Sequence, residues 1–184
     1  MATRGTVPRA DSEGNIGTSL KRWLAGYFVT IYGRLAGLGT ARLDSNVTTT
    51  STTAANITGL SFSLAANETV RFEANLNNGN SGTTGNKFAV NFPSGATLNC
   101  HVEGSTSGST AMTQSKITTA ATLTTEIYHT LASQVGRTTI IGTIKNGSTA
   151  GTVQLQFAAV TSGTVTINAG SSMWWVRLSS ATAY

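Results

Sequence analysis

Apolar and polar residues alternate along most of the chain beyond about residue 57. Val70, Phe72, Ala74 and Leu76 alternate with Thr69, Arg71, Glu73 and Asn75. Phe88, Val90 and Phe92 alternate with Lys87, Ala89 and Asn91, and Val153, Leu155 and Phe157 with Thr152, Gln154 and Gln156. Val165 and Ile167 sit between Thr164, Thr166 and Asn168, while Trp174, Val176 and Leu178 interleave with Met173, Trp175 and Arg177. A period of two puts alternate side chains on opposite faces of a strand. One apolar and one polar face per strand suits sheets packed on one side only. Ile57–Leu64, Ala96–Val102, Leu123–His129 and Thr138–Lys145 read as further strands. The total is roughly nine, spaced for a β-sandwich or jelly roll.

The separators between these runs carry turn chemistry. They are Asn77 to Gly82, Pro93-Ser94-Gly95, Gly104 to Thr110, Asn146-Gly147 and Ser162-Gly163. Asn146-Gly147 between two strand runs predicts a hairpin, because both residues tolerate positive φ.

Upstream of about residue 44 the pattern changes. Gly5, Pro8, Gly14 and Gly17 interrupt any regular element. A run from Lys21 to Gly33 follows, with Trp23, Tyr27, Phe28, Ile31 and Tyr32. It has too many glycines and β-branched residues for a helix. It is also too apolar for a free tail, and 44 residues cannot build a core of their own. Two parts are expected: residues 1–44, an extended N-terminal segment that needs a partner, and 45–184, a β domain.

Composition narrows the class. The 184 residues include 33 Thr, 19 Ser and 20 Gly, and only 10% are charged, against roughly 25% in an average protein. That excludes coiled coils and helical bundles. Cys100 has no cysteine to pair with, and with only His101 and His129 it cannot make a Cys/His zinc site. The net charge of +5 is spread singly, with no basic run longer than Lys21-Arg22. No nucleic-acid partner is therefore expected. The N-terminus lacks the apolar core of a signal peptide. The stretch from Trp23 to Leu38 is short of the ~20 residues a membrane helix needs, so no membrane insertion is expected.

Catalytic constellations are not expected either. Glu68, Glu73, Glu103 and Glu126 are scattered, and nothing pairs two carboxylates across one bond. Cys100 and His101 are adjacent on one strand and point to opposite faces. No catalytic, cofactor-binding or metal-binding residue is assigned, and no cofactor is expected. Of the pair Trp174-Trp175, one ring faces the core and the other faces outward or into a neighbouring subunit. Trp175 and Arg177 are taken as the outward pair, for trimer or receptor contact. A sugar-stacking platform is the alternative reading of the outward ring.

Two stretches carry a resemblance. Residues 4–23, with Val7-Pro8-Arg9-Ala10, Glu13-Gly14, Ile16-Gly17-Thr18-Ser19 and Lys21-Arg22-Trp23 followed by Gly26-Tyr27-Phe28, resemble a segment near the start of bacteriophage tail-fibre and related structural proteins. Ile57-Thr58-Gly59-Leu60-Ser61-Phe62 and the end from Thr164 to Trp175 are similar to segments of phage tail and minor structural proteins. The resemblance implies an all-β, trimeric jelly roll of the C1q and tumour-necrosis-factor type. It also implies an N-terminal virion-anchoring and shaft segment, with Arg4, Pro8, Arg9, Trp23, Tyr27 and Phe28 as anchoring residues. The function implied is a non-enzymatic short tail fibre acting in host attachment. A capsid-mounted head spike or decoration protein is the alternative, favoured by the short chain. Expected partners are two further copies of the chain, other virion proteins, and host cell-surface polysaccharide or protein. The expected location is the virion, assembled in the host cytoplasm.

Overall fold

The computed structural model describes residues 38–80, 84–105, 112–124 and 135–178. All of them belong to the unit spanning residues 34–184. The anchoring residues Arg4, Pro8, Arg9, Trp23, Tyr27 and Phe28 lie outside the described residues.

The alternation is realised as eleven strands in two antiparallel sheets, with no helix among the described residues. They are β1 (Leu38–Arg42), β2 (Val47–Thr49), β3 (Ala55–Leu64), β4 (Thr69–Asn80), β5 (Asn86–Asn91) and β6 (Thr97–Ser105). Then come β7 (Met112–Ile117), β8 (Val135–Lys145), β9 (Gly151–Ala159), β10 (Val165–Ile167) and β11 (Ser172–Leu178). The larger sheet runs β1-β11-β4-β8-β6-β7, with β10 pairing β4 and β2. The smaller runs β3-β9-β5. From β3 to β6, and again from β8 to β10, each connection carries the chain to the opposite sheet. Such repeated crossing characterises a jelly-roll sandwich.

β10 and β11 follow one another along the same edge of β4, as β1 and β2 do one row further out. The step between them is fixed by Leu43 N donating to Ser171 O at 2.8 Å and Gly170 N donating to Leu43 O at 2.8 Å. Gly170 takes φ 85° there, a conformation that glycine adopts without strain.

The apolar faces meet between the sheets. Phe72, Leu76, Ile140 and Ile144 come from the larger sheet, and Ile57, Leu60, Leu64, Phe88, Leu155 and Phe157 from the smaller; all are fully buried. Large rings are accommodated by glycines on the adjacent strand. Gly142 lies under Phe72, where a Cβ would come within 2.6 Å of the ring.

Several expectations are corrected. Asn146-Gly147 makes no hairpin, because β8 and β9 belong to different sheets. Asn146 works through its side chain instead. Its Nδ2 donates to Ala65 O at 2.7 Å and Thr149 O at 2.9 Å, while Gly147 O accepts from Asn67 N at 2.7 Å. This braces the β3–β4 turn against the β8–β9 crossover. Asn77 to Asn80 is strand, not turn: β4 runs on to Asn80, paired with β8 on one side and β10 on the other. β1, β2 and β7 were not foreseen. β1 and the buried Leu43 lie ahead of the composition shift at residue 44 and belong to the sandwich. Of the strand expected over Leu123–His129, only Leu123 and Thr124 are described. They run beside β5 without joining it as a strand, with Thr124 N donating to Phe88 O at 2.8 Å.

Candidate functional site

β11 shows which tryptophan is free to meet a partner. Met173 and Trp175 are buried, while Trp174 and Val176 are half-buried and Leu178 is exposed. Trp175 therefore lies inside the sandwich, at 7% exposure, and is not on the outer face as expected. Its indole stacks on Phe62 of the opposite sheet, centroids 5.1 Å apart and planes 17° from parallel. The reason is a gap in the neighbouring strand. Trp175 pairs with Gly39 of β1, and a Cβ on Gly39 would lie 2.1 Å from Trp175 Cε2. Arg177 keeps the inward phase but lies past the end of the core, where its Nε donates to Glu68 Oε1. Glu68 Oε2 also accepts from Ala65 N at 2.8 Å, so one carboxylate ties the β3–β4 turn to β11.

The outward ring is Trp174. Strand registers place it in a row running Thr40, Trp174, Glu73, Ile141, His101 and Lys116 across β1, β11, β4, β8, β6 and β7. The next row toward the Leu178 end holds Leu38, Val176, Arg71, Thr143 and Asn99. Leu38 and Leu178 are exposed, at 39% and 41%. Leu38, Trp174, Val176 and Leu178 thus form an apolar strip along β1 and β11.

Beside the strip lies a fixed polar group. Asn75 Nδ2 donates to Glu73 Oε1 at 3.1 Å, and Asn75 Oδ1 accepts from Arg137 Nη2 at 2.9 Å. Arg71, Glu103, Lys116 and Lys145 stand on the same sheet, at positions opposite to its buried side chains.

The smaller sheet presents a different surface. Asn56, Ser61, Ser63, Thr152, Gln154, Gln156 and Asn91 occupy its outward positions, and Lys87 is the one charged residue there among the described residues. Gln154 Nε2 donates to Ile57 O at 3.0 Å and Leu60 O at 3.1 Å. It fills the register break between Asn56 and Ser61, where Gly59 takes φ 98°. The sandwich is two-faced: one outer face mixes apolar and charged groups, and the other carries neutral amides and hydroxyls.

Cys100 is buried and His101 exposed, on opposite faces of β6. Burial pushes the Cys100 thiol up to about 12, so no thiolate nucleophile forms there near neutral pH. Among the described residues no three His, Cys, Asp or Glu side chains group closely enough to hold a metal ion.

Comparison with known proteins adds little to this geometry. No family model matches the chain, and no curated protein matches it. Among solved structures it is similar to "Structure of infectious bursal disease virus Gt strain", at 12% identity and a TM-score of 0.19 over 79% of this chain and 38% of that one. It is also similar to "Structure of infectious bursal disease virus Gx strain", at 14% identity and a TM-score of 0.19, over 79% of this chain and 37% of that one. The chain spans well under half the length of either.

Proposed function

We propose that the protein is a non-enzymatic structural component of a virus particle. Within that class we read it as a trimeric short tail fibre of a bacteriophage, joined to the particle through its N-terminal segment. The observation that carries the assembly part is the apolar strip Leu38, Trp174, Val176 and Leu178 on the outer face of the larger sheet. An apolar strip beside charged groups is how association surfaces are built. The neutral amide and hydroxyl face of the smaller sheet stays soluble without strong charge and suits contact with host polysaccharide or protein. The phage assignment rests on the resemblance of residues 4–23, 57–62 and 164–175 to phage structural proteins.

Light scattering and labelling test this. The expected particle has three times the mass of the 19.0 kDa chain, and Trp174→Glu shifts it toward the single-chain mass while the fold persists. A single-chain mass for the unmodified protein refutes the assembly reading. Antibody labelling of intact particles is expected at the tail. Label on the capsid assigns the protein to head decoration instead, and no label on any virion refutes the virion reading.

A further inference from the structure

The inward face of the sandwich is apolar until its far end, where it turns into amides. Asn78 and Thr138 of the larger sheet and Asn86 of the smaller are completely buried. Asn80 Nδ2 donates to Thr84 O and so closes the crossover from β4 to β5. One inward position back along β4 is Asn78. Thr84 leads into β5, whose first inward residue is Asn86, two before Phe88. Asn78 and Asn86 therefore lie two positions to either side of the Asn80–Thr84 link, each on the inward face of its own sheet.

Their hydrogen bonding is incomplete. Asn78 Nδ2 donates to Thr138 Oγ1 at 3.1 Å, which leaves Asn78 Oδ1 without a partner. Asn86 has no partner at either amide atom. Turning the Asn86 amide over changes nothing, since both ends are unmet. A buried unpaired polar group costs about 1–3 kcal/mol, and native interiors rarely leave one so.

The chemistry of these atoms defines what can satisfy them. The partner must accept from Asn86 Nδ2 and donate to Asn86 Oδ1 or Asn78 Oδ1. A cation is disfavoured by the amide N–H and an anion by the two amide oxygens. A neutral molecule that both donates and accepts, with two to four polar partners in a small space, is water. From this we infer that these buried asparagines bind at least one internal water, held between Asn86 and Asn78.

Magnetic relaxation dispersion of solvent nuclei counts long-lived internal waters in the intact protein. The unmodified chain is expected to show a dispersion, and Asn86→Leu to lose part of its amplitude. Equal amplitude in the two proteins overturns the inference. A high-resolution crystal structure of the unmodified chain gives a second reading independent of the variant's folding. Density within hydrogen-bond distance of Asn86 and Asn78 Oδ1 supports the site. A direct Asn86–Asn78 bond, or an empty gap, overturns it.

Discussion

Replacing Gly39 by alanine isolates the contact that decides the phase of β11. Gly39 lies outside the left-handed region of φ, so the backbone accepts alanine without strain. The added methyl, however, would lie 2.1 Å from Trp175 Cε2 and 2.2 Å from Cζ2. Both atoms belong to a fused ring that cannot bend, so either the indole leaves its place or β1 lifts from β11. Forcing an extra methyl into a packed core costs about 1–3 kcal/mol. If the indole moves, its stacking on Phe62 is lost as well, for a further ~0.5–1.5 kcal/mol. The expected destabilisation is therefore ~2–4 kcal/mol, a fall in Tm of about 4–16 °C for a domain of this size. Urea denaturation measures it, with the midpoint falling and the slope m unchanged. A second arm tests the cause. Trp175→Leu in the Gly39→Ala background removes the clash, so the double variant should be more stable than the sum of the single effects by ~1 kcal/mol or more. A Gly39→Ala cost below ~0.5 kcal/mol, or strict additivity in the cycle, refutes the contact.

Two further outcomes follow from particular side chains. Burial moves Cys100 from its ordinary 9.0 to about 12. The folded state thus keeps a proton that the unfolded chain releases, and the thiol's contribution is full below pH 9.0 and lost as pH rises toward 12. Urea midpoints should fall through this window, less steeply in Cys100→Ala; equal slopes contradict it. Glu68 serves both the Ala65 amide and Arg177, whereas Arg177 is exposed and, among the described residues, bonds through its side chain to Glu68 alone. Glu68→Ala should therefore cost more than Arg177→Ala, whose effect stays within the ~0–1 kcal/mol of an exposed ion pair. Thermal unfolding of both variants gives the ranking, and the reverse order counts against the turn-bracing role.

The alternation was enough to place Val70, Phe72, Ala74 and Leu76, and likewise Val153, Leu155 and Phe157, on the buried face. In these strands only one phase is apolar. β11 offered no such asymmetry. Met173-Trp174-Trp175-Val176 is apolar in both phases, and the choice was made by Gly39, 136 positions before Trp175 in the chain. The register that brings them together is tertiary information, so Trp175 was assigned to the wrong side. Asn77 to Asn80 misled for a related reason. Asparagine and glycine are turn residues when solvent meets their backbone needs. Here two flanking strands meet those needs, and the amides of Asn78 and Asn80 face inward. Asn146-Gly147 has hairpin chemistry, but the hairpin needs both strands in one sheet, and the chain crosses over instead. The burial of Asn86 carried no sequence signal, since it depends on how the two sheets pack.

The Trp175–Gly39 contact also has a mechanical side. β1 is the first described strand, and any load arriving through the chain ahead of Leu38 reaches the sandwich there. The smallest slide of β1 that keeps its faces is two residues. Withdrawal toward the N-terminus by that step would carry Ala41 under the indole, where a Cβ has no room. The ring thus acts as a pawl: β1 cannot be drawn out along β11 in small steps. Under a pull along the strand the rungs from Leu38 to Arg42 must yield together, which makes this edge of the sheet a tether.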